Sequence, residues 1–294
     1  MSRNRVNTAD YLSAKGRVML FISRVFVYLI LAILTFLCLF FFYLLIINST
    51  RSNAQLNEGF TLLPQDNFLK NLTNAWTDAS INIPRGMLNS FIVAMSSALL
   101  TTYFSALTAF GIHCYEFRFK KIAFTFILAV MMIPSQISAV GFVKLCNTLH
   151  LTNNFIPLII PGIASPVVFF YMKQYMESIL PLEIVEASRV DGASEFFTFN
   201  RIVLPIMGPA IAVQMIFSFV ASWNNFFIPA MIIDKAELKT VPIMIAALRS
   251  ADYSKFDMGK VYMLILLSIL PVIVVYLILS KFIIRGVSEG SVKG

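Results

Sequence analysis

The chain has 294 residues, of which 58% are hydrophobic and only 13% charged, with a mean hydropathy of +0.80. Soluble domains carry roughly 25% charged residues, so this balance excludes an ordinary globular protein, and the length is better counted in membrane spans. The net charge of +8 first suggests cytoplasmic anchoring by the positive-inside rule. The basic residues are scattered between apolar runs and form no face of the kind that binds nucleic acid.

The first apolar run is Val25–Ile47, uncharged throughout. About 20 such residues cross a hydrocarbon core. The run is too long for a signal-peptide core and no small-residue cleavage site follows, so it is expected to be retained. Arg24 marks its start, and the preceding Tyr11–Ser23 is expected as an interfacial helix. A polar stretch, Asn48–Arg85, comes next. Further spans are predicted at Met87–Ile112, Ile122–Val143, Phe155–Met172, Met207–Ile233 and Val261–Ile284. That makes six, with every Asp, Glu, Lys and Arg between them or at their ends. With the amino terminus inside, the larger share of the 23 basic residues lies in internal segments, which predicts both termini in the cytoplasm. The expected organisation is an interfacial or cytoplasmic segment over 1–24, a six-span domain over 25–284 and a cytoplasmic tail over 285–294.

Cys38, Cys114 and Cys146 fall in the bilayer, on one side and on the other, so no disulfide is expected, and no Cys/His spacing suggests a metal. His113 and His150 are isolated and read as ordinary loop residues. The chain contains no GxxxxGK[ST] or HExxH motif, hence no P-loop of its own and no zinc-protease helix. No membrane-embedded Asp, Glu or His offers a proton relay.

Between the fourth and fifth spans lies the polar segment Pro181–Pro205, PLEIVEASRVDGASEFFTFNRIVLP, which reads as helix, glycine turn, helix. Pro181 suits a first helical turn. Glu183 and Glu186 sit near the amino-terminal end, where the helix dipole favours negative charge. Ala187 and Ser188 are small enough for another surface to approach. Gly192 permits the positive φ of a turn, and Ser194 is a candidate cap for the second helix. Phe196, Phe197 and Phe199 are expected to face the bundle, and Pro205 marks an end or kink. From these residues alone, the segment could be a docking site or a connector packed beneath the bundle.

Two polar stripes run through the spans. The second span aligns Ser90, Ala94, Ser97, Thr101, Ser105 and Thr108, which favours close helix packing. The fifth aligns Gln214, Ser218, Ser222 and Asn225 on one helical face, which must meet a neighbouring helix or a wet cavity. Sugars are held by aromatic faces and by amide or hydroxyl groups. Gln136, Gln214, Ser218, Trp223, Asn224 and Asn225 are therefore the candidate substrate-path residues. Asn224 and Asn225 are about 100° apart on a helix, so both cannot point squarely at one cavity. Trp223 could equally be an interfacial anchor.

Glu186-Ala187-Ser188, then Gly192, then Ile202-Val203-Leu204-Pro205 resemble the "EAA" cytoplasmic loop of permease subunits from ABC importers. The resemblance covers most of the chain. It extends to Met131-Met132-Ile133-Pro134, to Trp223-Asn224-Asn225-Phe226, and to the tail Arg285-Gly286-Val287 through Val292-Lys293-Gly294. Its features look like the carbohydrate-uptake branch, similar to the second permease of maltose-type and multiple-sugar importers. The resemblance implies an all-α membrane protein of six transmembrane helices with a cytoplasmic coupling-helix loop. It places Glu186, Ala187 and Gly192 in a cleft of an ATPase subunit, with Ser188 and Asp191 in the same contact. Ser188 stands where the motif has alanine, and Asn225 where the family often has an acid.

The resemblance also implies no catalytic residue in this chain and MgATP bound by two ATPase subunits. A second homologous permease subunit and an extracytoplasmic solute-binding protein would complete the machine. The binding protein would meet Asn48–Arg85 and Asp234–Lys260. The cargo would be a sugar, with an oligosaccharide the first expectation. Glycerol-3-phosphate is the alternative cargo, since permeases for it are close relatives. Phosphate would ask for Arg or Lys on the path, and none lies inside a predicted span away from its ends. The reading from a different class is a self-contained secondary transporter or channel.

Overall fold

The computed structural model describes residues 14–78, 81–249 and 257–290, and every regular element among them is a helix. Helix α1, Ala14–Ser49, runs unbroken. The separate interfacial helix expected over Tyr11–Ser23 is therefore corrected for its described part: Arg24 lies within a continuous helix, with no proline or glycine nearby to end it. Residues 1–13 and the tail residues Val292-Lys293-Gly294 lie outside the described residues. Two short helices, α2 (Asn53–Asn57) and α3 (Phe68–Trp76), follow in the polar stretch. Ser52 and Gln55 form a reciprocal capping box at the start of α2, which satisfies two backbone donors at once.

Helix α4, Ile83–Cys114, is the axis of the bundle. Asn82 adopts a left-handed conformation and accepts from the Arg85 amide at 3.2 Å, while Pro84 sits in the first turn. The predicted stripe is buried from Ser90 to Ser105, and only Thr108 is exposed. It serves packing. Ser90 Oγ accepts from the Val241 amide at 2.8 Å, Asn89 donates to the Glu237 and Lys239 carbonyls, and Ser97 donates to the Leu158 carbonyl at 3.2 Å. A Cβ on Gly162 would stand 2.5 Å from Thr101 Oγ1, so glycine is required where that backbone meets α4.

The predicted span Ile122–Val143 is not one helix. Helix α5 is Lys120–Val130, and α6, Ser135–Thr148, starts after Pro134. Proline lacks the donor that would continue α5, and it pushes the preceding residue out of helical geometry. The fourth predicted span, Phe155–Met172, is a composite of α7 (Ile156–Ile159), a 3₁₀ turn (Ile160–Ala164) and α8 (Pro166–Ile179). It runs beyond its predicted end and carries Lys173 inside the helix, against the expectation that charges lie only at span ends. Lys173 is buried, paired with Glu177 at 2.5 Å and placed 4.5 Å from the centre of the Phe124 ring, so its charge has both an anion and a π-face.

The coupling segment comprises α9 (Leu182–Val190), α10 (Glu195–Thr198), a π-helical turn (Phe199–Val203) and α11 (Leu204–Ile206). The chain then bends by 82° into α12, Gly208–Trp223. The fifth predicted span breaks after Trp223 and resumes as α13, Phe227–Ile232. Helix α14 is Val241–Arg249, and α15, Met258–Gly290, completes the bundle. Among the described residues, four stretches are long and apolar enough to cross a membrane: Val18–Ser49, Ile83–Cys114, Ile156–Ile179 and Met258–Ile283. Counting the bent pair Glu195–Ile206 and Gly208–Trp223 as one span gives a fifth.

Candidate functional sites: an exposed docking loop and a polar cavity

The loop is held from beneath. Phe199 is fully buried, with its ring 5.6 Å from Tyr103 and 5.5 Å from Phe110 of α4. Ser188, buried on the inner side of α9, shares a 2.6 Å hydroxyl hydrogen bond with Thr198. Gly192 has φ +78°, and the Ala193 and Gly192 amides donate back to the Ser188 and Arg189 carbonyls, the paired bonds that close a helix with a left-handed residue. A Cβ at Gly192 would meet nothing within 4 Å, so the requirement for glycine is conformational. Ser194 caps α10 as expected, accepting from the Phe197 amide at 3.3 Å. Pro181 caps α9 instead of entering its first turn.

Arg189 and Glu195 join the two helices at 2.7 Å, and the guanidinium lies 5.1 Å from the Tyr115 ring centre at the end of α4. Hydrogen bonding from Arg189, and then from Tyr115, holds the Glu195 carboxyl below its ordinary range. His113, expected in a loop, is in the last turn of α4 with Nε2 3.3 Å from the Leu180 carbonyl.

The outer surface is what the cradle leaves free. Glu186, Ala187, Asp191 and Gly192 are all exposed. Val190 is 87% exposed and Phe196 69%. The expectation that Phe196 and Phe197 face the bundle is corrected: both are exposed, and only Phe199 turns inward. Phe196 and Phe199 stand three residues apart, a spacing that an α-helix would set on one side, but the π-helical turn begins at Phe199, and the contacts with Tyr103 and Phe110 seat that ring alone. Acid groups, small residues and bare apolar side chains thus stand together on one braced loop. Ser188 differs from its motif neighbours in being turned inward.

The second site is a cavity of about 970 Å³ between α4, α8 and α12. The α12 stripe Gln214, Ser218 and Ser222, with Asn225 just beyond it, lines one wall, and Ser97 and Thr101 line another. Ser218 Oγ is buried without a hydrogen-bond partner among the described residues. No lining residue is charged. Tyr171 lines it too, and sequence reasoning missed that aromatic group, which stands in the middle of an apolar run without any local signal. Tyr171, Val213 and Gln214 also line an adjoining cavity of about 470 Å³, so they stand where the two meet.

The other path candidates lie elsewhere. Trp223 is 3% exposed and stacked on Phe219 at 5.6 Å, in a core cluster with Ala94 and Ala98. Asn224 and Gln136 are exposed and line neither cavity. The break after Trp223 turns Asn225 to the cavity and leaves its neighbour outside.

A helical membrane bundle with an uncharged polar cavity and a braced, outward-facing loop defines the class of transport permeases. Comparison with known proteins gives the family. The chain belongs to the binding-protein-dependent transport system inner membrane components, whose pattern matches residues 102–288, and it is a permease of the ABC-importer type. It is 31% identical over 279 residues to the arabinooligosaccharides transport system permease protein AraQ of Bacillus subtilis (strain 168), covering 93% of this chain and 97% of that one. It is 29% identical over 233 residues to the sn-glycerol-3-phosphate transport system permease protein UgpE of Escherichia coli (strain K12), covering 78% and 83%. The fold matches a chain from the crystal structure of a bacterial ABC transporter involved in the import of the acidic polysaccharide alginate. The TM-score is 0.76 with 20% identity, over 92% of this chain and 98% of the other.

Proposed function

We propose that this chain is one of two permease subunits that together carry a neutral sugar, an oligosaccharide for preference, across the cell membrane. In this reading it crosses six times with both termini in the cytoplasm, and the broken third and fifth spans each count as one crossing. Two ATPase subunits bind MgATP, and one of them seats the exposed Glu186, Ala187, Asp191 and Gly192. Ser188 supports that contact from within. An extracytoplasmic solute-binding protein delivers the cargo.

The observation that carries the reading is the continuity of α4. Its Tyr103 and Phe110, with Tyr115 just past its end, brace the docking loop, and its Ser97 and Thr101 line the polar cavity. A displacement of the loop therefore reaches the path through one rigid element. Gln214, Ser218 and Asn225 offer hydroxyl and amide groups to a sugar, and Tyr171 an aromatic face. The absence of Lys and Arg from the lining residues favours a neutral cargo over a phosphate ester.

The test is a pull-down of tagged chain from gently solubilised native membranes, followed by ATPase assays with the co-purifying binding protein. A second permease and a P-loop ATPase, stimulated by one loaded sugar, are expected. A chain that purifies alone and supports a gradient-driven flux in liposomes would overturn the reading. Within the assembled transporter, Gly192→Pro should abolish uptake while leaving the chain inserted, because proline cannot adopt positive φ. Normal uptake by that variant would remove the coupling role.

A further inference from the structure

The polar stretch at the end opposite the docking loop carries an apolar face that no part of the described chain covers. Phe60, Leu62, Leu63, Phe68, Leu69 and Trp76 are all exposed, Leu63 by 70% and Trp76 by 48%. Removing such a side chain from water contributes roughly 1.5–3 kcal/mol, so a group of this kind gathered on one short segment marks a contact surface.

The polar atoms of the same segment point the other way. The buried Arg51 donates to the Gly59 carbonyl at 2.8 Å, the Gln65 amide donates to Thr50 Oγ1 at 2.8 Å, and the Asn67 amide donates to the Thr50 carbonyl at 2.9 Å. Asn71 donates to the Ser49 and Arg51 carbonyls at 2.9 and 2.8 Å. The segment is thus strapped to the end of α1 by its polar groups, and its large apolar side chains are left outward.

One further bond sets its depth. Tyr43 of α1 donates to the Leu62 carbonyl at 2.5 Å. Tyr43 lies six residues before the end of α1, about 9 Å along the axis at 1.5 Å per residue, and inside the apolar run that closes at Ile47. The strap therefore folds back along the bare surface of α1, beside the end of its apolar run, where a hydrocarbon core would give way to headgroups. On α3, Leu69 and Trp76 share a face, while Asn71 and Ala75 are buried on the other. Trp and Tyr concentrate at that boundary, and short amphipathic helices lie in its plane.

We propose that Phe60, Leu62, Leu63, Leu69 and Trp76 form an interfacial anchor, immersed in the headgroup and upper acyl region of the leaflet opposite the docking loop. The inference rests on the membrane placement of the family and is independent of the cargo. It reserves this face of 48–85 for lipid and leaves only the other faces for a binding protein.

The test uses the transporter assembled with its native partners in phosphatidylcholine–phosphatidylglycerol vesicles. Spin labels are placed singly at Phe60→Cys, Leu63→Cys and Leu69→Cys, with Cys38, Cys114 and Cys146 replaced by serine. Collision with oxygen, which dissolves in acyl chains, is expected to exceed collision with a water-soluble nickel chelate several-fold at all three sites, as at a lipid-facing control in α1. High nickel collision would place the face in water, and low collision with both reagents would mean that a protein subunit covers it. Either result overturns the proposal. With native cysteines retained, the emission lost on Trp76→Phe should be the part that brominated phospholipids quench, since Trp223 is buried. An unquenched Trp76 component would equally overturn it.

Discussion

Helices α1 and α4 are both long enough to cross a bilayer and are opposites in what they touch. The most apolar window of α1 has a hydropathy of 3.0 and only 6% of it is buried, whereas that of α4 has a hydropathy of 1.5 and is 44% buried. The greasier helix is the one the fold leaves bare. Lipid tails are as apolar as leucine, so an apolar side chain gains little by leaving them for protein, and helices associate through close packing and hydrogen bonds instead. Helix α4 supplies both through Ser90, Ala94, Ser97 and Thr101, while α1 presents Phe, Leu and Ile on all sides. In this chain the most apolar helix is the one whose surface stays free, and small polar residues mark contact between helices.

The sharpest test of that contrast lies at the loop end of α4. Phe199→Ala removes a fully buried ring set against Tyr103 and Phe110, and should destabilise the protein by about 3–5 kcal/mol. Phe196→Ala should change stability by less than about 0.5 kcal/mol but weaken retention of the ATPase. Thermal unfolding in detergent and co-purification read the two effects separately. Equal melting shifts would mean that the loop is not braced as described.

A smaller effect compares the two helices directly. Ala98 is fully buried against Phe219 and Trp223, so Ala98→Leu should overpack the site and cost about 1–3 kcal/mol. Leu39→Ala on the bare face of α1 should stay within about 0.5 kcal/mol. If Leu39→Ala proved the more damaging in the assembled transporter, α1 would be shown to pack on another subunit, and the contrast would hold only for the single chain.

The smallest effect concerns the Arg189–Glu195 tie. Because the Glu195 carboxyl is held below its ordinary range, its contribution is complete above the unfolded value of about 4.3 and is lost as pH falls through the lower folded value. The pair is partly exposed, so Glu195→Gln should cost under about 1 kcal/mol at neutral pH. The variant should also flatten the acid limb of the melting-temperature profile. An unchanged acid limb would assign that limb to other carboxylates.

Much of this protein was legible in its sequence because the relevant signals are local. Long uncharged runs located α1, α4 and α15, since a bilayer imposes length and apolarity on any segment that crosses it. The positive φ of Gly192 and the Ser194 cap followed from backbone chemistry within a few residues. Periodicity put Gln214, Ser218, Ser222 and Asn225 on one face, but could not say whether protein or space lay opposite.

Tertiary structure decided the rest. It chose Phe199 over Phe196 and Phe197 for the core, since three aromatic residues so close together are equivalent until Tyr103 and Phe110 are placed. It put Trp223 in a core stack and brought in Tyr171, because the wall of a cavity is assembled from helices distant in sequence. It broke the third and fifth spans, whose average apolarity is the same whether the helix is whole or interrupted. It also turned the apolar side chains of the strap outward, because that orientation depends on hydrogen bonds to Tyr43, Thr50 and Arg51, which local sequence pattern does not encode.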